Sequence, residues 1–355
     1  MSISLLNQKS LESLLKKIKD KKYFLLGEST HGTYEFYKYR FDITKILIEK
    51  HGLNIIFFET EWSFGLKMNH FIHQPFSSLE ALEKETLDLL QEMYKGRFPQ
   101  WMWCNSVIIE MLVYLRGRNQ DTTDLKHKVY VYGIDCQDED LAERNLNLNS
   151  FHVQQNIFYN QINKLIIERH KEYKGDYWLW RDGTWKMIID KLDNFHKEKD
   201  NKFVLFAHNS HIGDGSKYSV PGHNIGRFLM ESQPKLTHKI GFSTACCTVT
   251  AGENRTIESS KTMKLNQKFP LDSWEKFFID LSKKKIPSGT DKNFIYSCNN
   301  NDKVKLFRYI GTVYNPDNEL MSHYKKTKLN QEFDHVIFIY NTRDIKSCFN
   351  KKTDK

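Results

Sequence analysis

Two short motifs combine histidine with groups that could activate it. In the segment 27–32 (GESTHG), a carboxylate and an imidazole are three residues apart, so a single turn would place them on one side. A histidine beside a carboxylate can act as a general base, because the carboxylate fixes its tautomer and raises its basicity. Alternatively, this segment only caps a helix that begins near Thr33, with its histidine exposed. His208 and His211 have the same spacing in a second motif, and such a pair can transfer protons or bind a metal.

Glu59 is a third candidate, because it ends an apolar run at 54–59. A buried carboxylate without a partner would have a raised pKa and would be costly to ionise. Arg40 is one possible partner, so Glu59 is either part of a site or half of a structural ion pair. The aromatic segment 98–105 (FPQWMWCN) either lines a substrate cleft or fixes helices to the core.

The elements that position these residues can be predicted from hydrophobic patterns. Short apolar runs rich in β-branched and aromatic residues predict buried strands at 23–28, 54–59, 129–135, 203–208, 240–244 and 335–340. Helical periodicity predicts helices at 35–50, 106–116, 153–171 and 182–199. Strands that alternate with helices favour an α/β fold with a mainly parallel central sheet flanked by helices.

The first four predicted strands all end in a titratable residue. These residues are Glu28, Glu59, Asp135 and His208. In open parallel sheets, ligands bind in the crevice outside the carboxyl ends of the strands, so we expect the four residues to converge there. The sequence predicts a single α/β domain over 1–355. Helical insertions at 60–127 and 136–201 are expected to form a lid or side wall over this edge.

Composition narrows the class of protein. Of the 355 residues, 39% are hydrophobic and 14% aromatic, which is enough for a large core. The net charge of +9 could suit an acidic substrate or nucleic acid, but the lysines are scattered, so no nucleic-acid partner is expected. The segment 1–22 predicts an amphipathic helix rather than a signal peptide, and no run approaches the ~20 apolar residues of a membrane span. Since the six cysteines form no disulfide or CxxC pattern, we expect a cytoplasmic protein with no membrane partner.

Motifs along most of the chain resemble the erythromycin esterase-like family. The similarity is carried by GESTHG (27–32) with Glu35, Phe36 and Arg40, FFETEW (57–62) with Asn69, FPQWMW (98–103) with Asn105, VYGID (131–135), AHNSHIGD (207–214), the turn at 224–226, IGFSTACCTVTAG (240–252), FRYIGTVY (307–314), Ser322-His323-Tyr324 and FDHVIFIYNTR (333–343). The motifs follow the family's order from about residue 20 to about residue 345.

The resemblance implies an α/β fold and the hydrolysis of an ester or lactone by an activated water, and opening of a macrolide lactone is the family's named activity. It implies that His31 is the general base and that Glu28 and Glu59 position this base or the water. It implies that Arg40 holds a carboxylate in place. By the same resemblance, His208 and His211 stabilise the developing oxyanion or act as the acid.

The resemblance also predicts which side chains contact the substrate. They are expected to be Trp62, Trp101, Trp103, Asn105 and Asn209. The chain departs from the family pattern at Cys104, where Arg is frequent, and at Val107 and Asn341, where acidic residues are usual. We expect these departures to alter the substrate wall rather than the His–Glu centre.

Several alternatives are compatible with the residues. No cofactor is expected to be required, but a single divalent ion such as zinc or manganese would suit imidazole and carboxylate ligands. A serine hydrolase could use Ser29 or Ser210, although the chain has no GxSxG elbow. A catalytically silent protein could bind a macrolide or another small amphiphile in the same aromatic pocket. The expected partner is a small-molecule ester or lactone; the sequence does not specify the oligomeric state or whether the protein confers macrolide resistance.

Overall fold

The computed structural model describes most of the chain. The described residues are 3–124, 127–138, 140, 153–197, 200–214, 223–299 and 301–350. Parts of the predicted domain and insertions, at 1–2, 125–126, 139, 141–152, 198–199, 215–222, 300 and 351–355, lie outside these residues.

Strands build one large sheet and one small hairpin. In chain order they are β1 (Ile3–Leu5), β2 (Tyr23–Leu26), β3 (Ile55–Glu61), β4 (Tyr130–Asp135), β5 (Phe203–Phe206), β6 (Thr237–Gly252), β7 (Ser260–Lys264), β8 (Phe294–Ser297), β9 (Val304–Arg308), β10 (Tyr324–Lys328) and β11 (His335–Thr342). The large sheet has the order β1-β8-β11-β6-β2-β5-β3-β4, and β7 pairs with β6 beside it. β9 and β10 form the separate hairpin.

The sheet is mixed, with a parallel centre. All neighbours from β11 to β4 are parallel, and these six strands are the six that the sequence predicts. β1, β7 and β8 are antiparallel additions, which the sequence analysis missed. They are short or largely exposed strands without a strong apolar run, whereas parallel strands buried on both faces are continuously apolar.

Helices cover both faces of this sheet. They are α1 (Gln8–Lys17), α2 (Tyr34–His51), α3 (Trp62–Phe71), α4 (Leu79–Tyr94), α5 (Gln100–Trp103), α6 (Ser106–Asp121), α7 (Val153–Glu172), α8 (Tyr177–Phe195), α9 (Asn209–Ile212), α10 (Ile225–Ser232), α11 (Trp274–Lys285), α12 (Glu319–His323) and α13 (Leu329–Glu332). Short 3₁₀ turns lie at Pro316–Asn318 and Cys348–Asn350. None of the helices in the described ranges combines the length and apolarity needed to cross a membrane.

Alternation along the parallel strands creates two hydrophobic cores. Phe24 and Leu26 point to a core that includes side chains of α1, α2 and α6. Tyr23 and Leu25 point to the opposite core, against α7, α8 and α11. Successive strand side chains face opposite sides of a sheet, so each parallel strand serves both cores. Because these strands are buried on both faces, their carboxyl ends, which bear the candidate site, are held in place by packing on both sides.

The N-terminal segment is only partly helical. The sequence predicts an amphipathic helix over 1–22, but Ile3–Leu5 pairs antiparallel with β8 before the helix begins at Gln8. Asn7 starts that helix through a capping box, in which its side chain accepts from the Ser10 backbone N–H. Such a cap supplies a strong helix start, and the residues before it extend the sheet edge.

The two predicted insertions pack on opposite faces of the sheet. Helices α4 to α6 belong to the first core and α7 and α8 to the second, whereas α3 contributes Phe64 and Met68 to the first core and Trp62 and Leu66 to the second. Each insertion also reaches the carboxyl ends of the strands, because Phe98 and Trp178 line the cleft there. A lid role for either insertion stays a prediction.

Candidate active site

A cleft of about 930 Å³ opens at the carboxyl ends of the adjacent strands β2, β5 and β3. His31, Glu59, His208 and His211 all line it. The rings of His31 and His208 have centroids 4.8 Å apart, and His211 Nε2 lies 3.3 Å from Glu59 Oε1. The structure therefore brings together residues that are up to 180 positions apart in sequence, from 31 to 211.

His31 is held by a buried chain of three side chains. Glu28 Oε1 lies 2.8 Å from His31 Nδ1, and Glu28 Oε2 accepts from Arg40 Nη2 at 2.6 Å. The Arg40 guanidinium lies over the rings of Tyr37 and Phe206. Because the carboxylate accepts at Nδ1, a neutral His31 carries its proton there and keeps the Nε2 lone pair. This is the electronic state that a general base needs.

This arrangement corrects two expectations. Arg40, considered a partner for Glu59, pairs with Glu28 instead, because α2 runs back past the loop that precedes it. His31 is only 6% exposed, so the alternative of a histidine left in solvent beside a helix cap is wrong.

Glu59 is positioned by an irregularity in β3. The register between β3 and β4 shifts around this residue, and such bulges redirect side chains beside functional sites. Its Oε2 accepts from the His208 backbone N–H at 2.8 Å, and its Oε1 accepts from Arg181 Nη2 at 3.1 Å. His211 approaches the same Oε1. Both oxygens are thus occupied by protein groups.

The charge state of Glu59 follows from these neighbours. Burial alone would raise its pKa, but the positive charge and hydrogen bond of His211, together with the charge of Arg181, outweigh burial and hold the pKa well below its ordinary value. Glu59 is therefore ionised at neutral pH and is a poor proton donor. Its geometry suits it to position His208 and to balance the cations around it.

Arg181 and Asp182 complete the cluster, and the sequence analysis missed both as site residues. Arg181 donates to Asp135 through Nε at 2.8 Å and Nη2 at 2.6 Å. Asp182 Oδ1 lies 2.9 Å from His211 Nδ1. Both residues lie in α8, and the helical periodicity of this segment predicts only a helix that packs on the sheet, without a role in a site. The available signal was an Arg-Asp pair inside an aromatic run, which is unusual for a solvent-facing helix.

His211 is a buried cation. Burial lowers its pKa, but the carboxylates of Asp182 and Glu59 outweigh burial and raise the pKa to about 9, against the opposing charge of Arg181. Since Nδ1 faces Asp182, that nitrogen carries a proton in either state of the ring. At neutral pH the imidazolium lies on the cleft wall, with Nε2 3.3 Å from Glu59 Oε1 and 3.0 Å from Arg181 Nη1, so the carboxylate offsets the neighbouring guanidinium.

Replacing His211 with glutamine should remove a pH-dependent part of the stability. A folded pKa of about 9, against an ordinary 6.5, means that the folded state keeps a proton that the unfolded chain loses first. The contribution is fully present below pH 6.5 and is lost as pH rises to 9. The shift corresponds to about 3 kcal/mol. Denaturant unfolding across this range should show the wild-type advantage over His211→Gln shrinking by about that amount.

The matched control is His127→Gln, because the His127 side chain is 73% exposed and lies far along the chain from α8. This variant should follow the wild-type pH profile. Parallel profiles for wild type and His211→Gln would show that His211 does not hold its proton as described.

The side chain of His208 is oriented by Ser210. Its Nδ1 lies 2.8 Å from Ser210 Oγ and accepts, at 3.4 Å, from the Ser210 backbone N–H. Acceptance of a backbone N–H assigns the proton of the neutral ring to Nε2. Nε2 is buried and has no partner with hydrogen-bond geometry.

The electrostatic surroundings keep His208 neutral. Burial lowers its pKa well below the ordinary value and the charge of His211 acts in the same direction, although Glu59 and a polar contact with the Ser29 backbone oppose them. A neutral imidazole keeps one ring N–H, and a hydrogen bond from such a group can stabilise a developing negative charge.

The three predicted substrate-contacting tryptophans are not on the wall of this cleft. Trp62 stacks on Tyr132, with ring centroids 5.7 Å apart. Trp101 Nε1 donates to Ser260 Oγ at 3.2 Å, and Trp103 Nε1 donates to the Glu59 carbonyl at 3.1 Å. Of the three, Trp103 borders an adjoining recess of about 180 Å³. Their indoles serve mainly as packing groups that keep their N–H groups bonded or buried.

The two predicted asparagines also have structural partners. Asn105 caps α6 by accepting from the backbone N–H groups of Val107 and Ile108. Asn209 exchanges two hydrogen bonds with the Phe242 backbone, donating to its carbonyl at 2.8 Å. It thereby ties the loop after β5 to β6 and does not line the cleft.

Other residues form the wall. Besides the four central residues, the cleft is lined by Phe98, Pro99, Gln137, Trp178, Arg181, Ser210, Arg255, Tyr309, Gly311, Thr312, Ser322, His323 and Lys325. The three departures from the family pattern lie elsewhere: Cys104 and Val107 are buried in the first core, and Asn341 Oδ1 accepts from Cys246 Sγ. The expectation that these departures alter the substrate wall is therefore wrong.

The described residues contain no group of three or more His, Cys, Asp or Glu side chains arranged to hold a metal ion. Glu28, Glu59 and His211 are already committed to ion pairs or hydrogen bonds within the protein. The expectation that no cofactor is required, and its alternative of one divalent ion, both stay predictions.

Three solved structures share this fold over nearly the whole chain. A succinoglycan biosynthesis protein matches with a TM-score of 0.72 and 17% identity, over 97% of this chain and 95% of that one. A Bacillus cereus protein matches with a TM-score of 0.73 and 16% identity, over 96% and 94%. A mutant of the erythromycin esterase EreC in its open conformation matches with a TM-score of 0.58 and 16% identity, over 97% and 98%. At these identities the likeness shows the fold alone.

The family model described as Erythromycin esterase matches residues 48–149 and 150–342. The matched residues include Glu59, Arg181, His208 and His211, whereas the motif with His31 precedes them. The match confirms the resemblance seen in the motifs and supports hydrolase activity at the level of the family. Since it spans most of the sequence, this chain belongs to the erythromycin esterase family.

Proposed function

We propose that this protein hydrolyses a carboxylic ester or lactone with a water molecule that His31 activates. The observation that carries the proposal is the 2.8 Å contact between Glu28 and His31 Nδ1, beside a neutral His208 on the same cleft. One ring is built to accept a proton, and the other is built to donate a hydrogen bond. This division of roles suits acyl transfer to water.

In the proposed reaction, His31 Nε2 takes a proton from water as the water oxygen attacks the ester carbonyl carbon. The carbonyl oxygen becomes an oxyanion, which accepts a hydrogen bond from His208 Nε2–H. Collapse of the tetrahedral intermediate breaks the bond to the alcohol oxygen, and the His31 imidazolium returns the proton to this leaving group. The products are the acid and the alcohol, or a hydroxy acid when the substrate is a lactone.

The remaining charged groups have positioning and electrostatic roles. Glu28, fixed by Arg40, orients His31 and stabilises its imidazolium. Glu59 accepts from the His208 backbone N–H and so fixes the donor ring. His211 and Arg181 line the cleft as cations, and they favour the extra negative charge of the intermediate.

A serine nucleophile has less support. Ser29 Oγ is buried and has no hydrogen-bond partner. Ser210 Oγ lies 2.8 Å from His208 Nδ1, but that ring has a strongly lowered pKa and no carboxylate at its other nitrogen. The base–carboxylate half of a catalytic triad is therefore assembled at His31 and not at His208.

A panel of simple esters, lactones and macrolides, followed by mass spectrometry of the products, tests the proposal. Hydrolysis of any of these with uptake of one water supports it, and incubation in ¹⁸O-labelled water should place the label in the acid. Saturable binding of a ligand without product would favour a catalytically silent binding protein. Turnover that is lost on chelation and restored by one divalent ion, with elemental analysis, would favour the metal-dependent alternative.

A further inference from the structure

We infer that the substrate carries an anionic group, such as a carboxylate, at a distance from the ester bond that is cleaved. The inference rests on the proposed hydrolase function and names the class of ester that the same cleft selects. It is drawn from the charges on the outer part of the cleft wall, which the proposed chemistry at His31 and His208 does not use.

Two cations reach the cleft from different parts of the fold. Arg255 lies in the turn that joins β6 to β7, and Lys325 lies in β10. Both side chains line the cleft, and both residues are exposed. In the part of the chain that the structure describes, neither forms an ion pair with a carboxylate. Arg97, which borders the adjoining recess, differs because it is paired with Asp138 at 3.0 Å.

Nearby carboxylates do not balance these cations at the wall. Glu253, in the same turn as Arg255, pairs with Lys261, and Glu258 does not line the cleft. Glu319 on α12 pairs with Arg308. Among described residues, the only carboxylate that lines the cleft is Glu59, whose two oxygens are occupied at its inner end.

His323, which also lines the cleft, is affected by the positive charges around it. Burial lowers the pKa of His323, and the charges of Arg308 and Lys325 lower it further, against a polar contact with the Tyr309 backbone. His323 Nε2 accepts from the Asn315 backbone N–H at 3.1 Å. His323 is therefore a neutral group in a positive surrounding, and the outer cleft is cationic through Arg255 and Lys325.

A positive rim above a catalytic centre selects among esters by their remote charge. An anionic group would be attracted to the rim and would gain one or two charge-assisted hydrogen bonds. An ester or macrolide with a protonated amine would meet like charge there. The cleft thus favours acidic esters over the amine-bearing macrolides for which the family is named.

The test uses para-nitrophenyl monoesters of adipic, suberic and sebacic acids, whose far end is a carboxylate. The matched neutral substrates are the corresponding methyl diesters, and para-nitrophenyl aminooctanoate supplies the cationic case. At low salt, kcat/KM should be about three- to tenfold higher for the best acid than for its methyl ester, as expected for exposed charges. The ratio should fall toward one as added salt screens the rim.

Substitutions at Arg255 and Lys325 test whether these two side chains cause the preference for the acidic ester. In Arg255→Ala/Lys325→Ala the preference for the acid should disappear, mainly through a raised KM, while hydrolysis of the methyl diester is retained. Arg255→Lys/Lys325→Arg should keep the preference, and Lys325→Glu should shift it toward the aminooctanoate. The control is Lys284→Ala, which removes an exposed lysine on α11 outside the cleft and should behave as wild type.

The outcomes separate this inference from the proposed function. Hydrolysis that ignores remote charge, or a preference that survives in Arg255→Ala/Lys325→Ala, overturns the inference and leaves the hydrolase intact. If no ester is cleaved, the proposed function fails, and calorimetry with suberate and octanediol decides the inference. Tighter binding of suberate that is lost in the double variant sustains an anion site, whereas equal binding or none overturns it.

Discussion

Replacing His31 with glutamine should lower kcat/KM for ester hydrolysis by roughly 10²- to 10⁴-fold, which is the usual cost of losing a general base. Glutamine can still hydrogen-bond to Glu28, so the buried ion pair with Arg40 keeps a polar neighbour. It cannot accept a proton from water near neutral pH. The loss should therefore appear mainly in kcat, measured with the best ester from the panel, while the unfolding midpoint stays close to that of the wild type.

A second variant separates proton transfer from packing. His31→Ala should be equally impaired, and added imidazole should restore part of its activity, because a free base can enter the space that the side chain leaves. His51→Gln is the matched control, since His51 lies at the other end of α2. Undiminished turnover by a folded His31→Gln protein would remove His31 from the mechanism.

The parallel part of the fold was predictable because burial on both faces imposes a simple sequence pattern. Phe24 and Leu26 serve one core and Tyr23 and Leu25 the other, so β2 has no polar position to interrupt its apolar run. The same reasoning predicted that the ends of β2, β3 and β5 share one edge, because parallel neighbours end together. The antiparallel strand β8 has no such pattern, because it is short and lies between polar loops.

Partner choice was not predictable, since it depends on where distant helices return to the sheet. Arg40 and Arg181 are both arginines on helices, and only the packing of α2 and α8 decides that one meets Glu28 and the other meets Glu59. Trp103 illustrates the same limit for aromatic residues. A tryptophan in a sequence motif can face ligand or core, and its indole N–H on the Glu59 carbonyl places it in the supporting structure.

The role of Arg181 leads to the second large expected effect. Arg181→Met should lower the free energy of unfolding by about 3–5 kcal/mol, because it leaves buried carboxylates without their cation. Methionine fills a similar volume, so the loss reports charge rather than a cavity. Asp135 and Glu59 are 3% and 7% exposed, and both accept from the Arg181 guanidinium. Urea unfolding at neutral pH measures the change, with a shift in the midpoint and little change in slope.

The matched control is an arginine whose ion pair is open to solvent. Arg343 Nε lies 2.9 Å from Glu35 Oε1, but the Arg343 side chain is 72% exposed, so Arg343→Met should cost no more than about 1 kcal/mol. If burial of the charge is the cause, Asp135→Asn introduced into Arg181→Met should recover part of the lost stability, since it removes one of the stranded charges. Equal small losses at the two arginines would mean that solvent screens the cluster. In that case the pKa of Glu59 would lie closer to its ordinary value, but the carboxylate would still be ionised at neutral pH and would keep its positioning role.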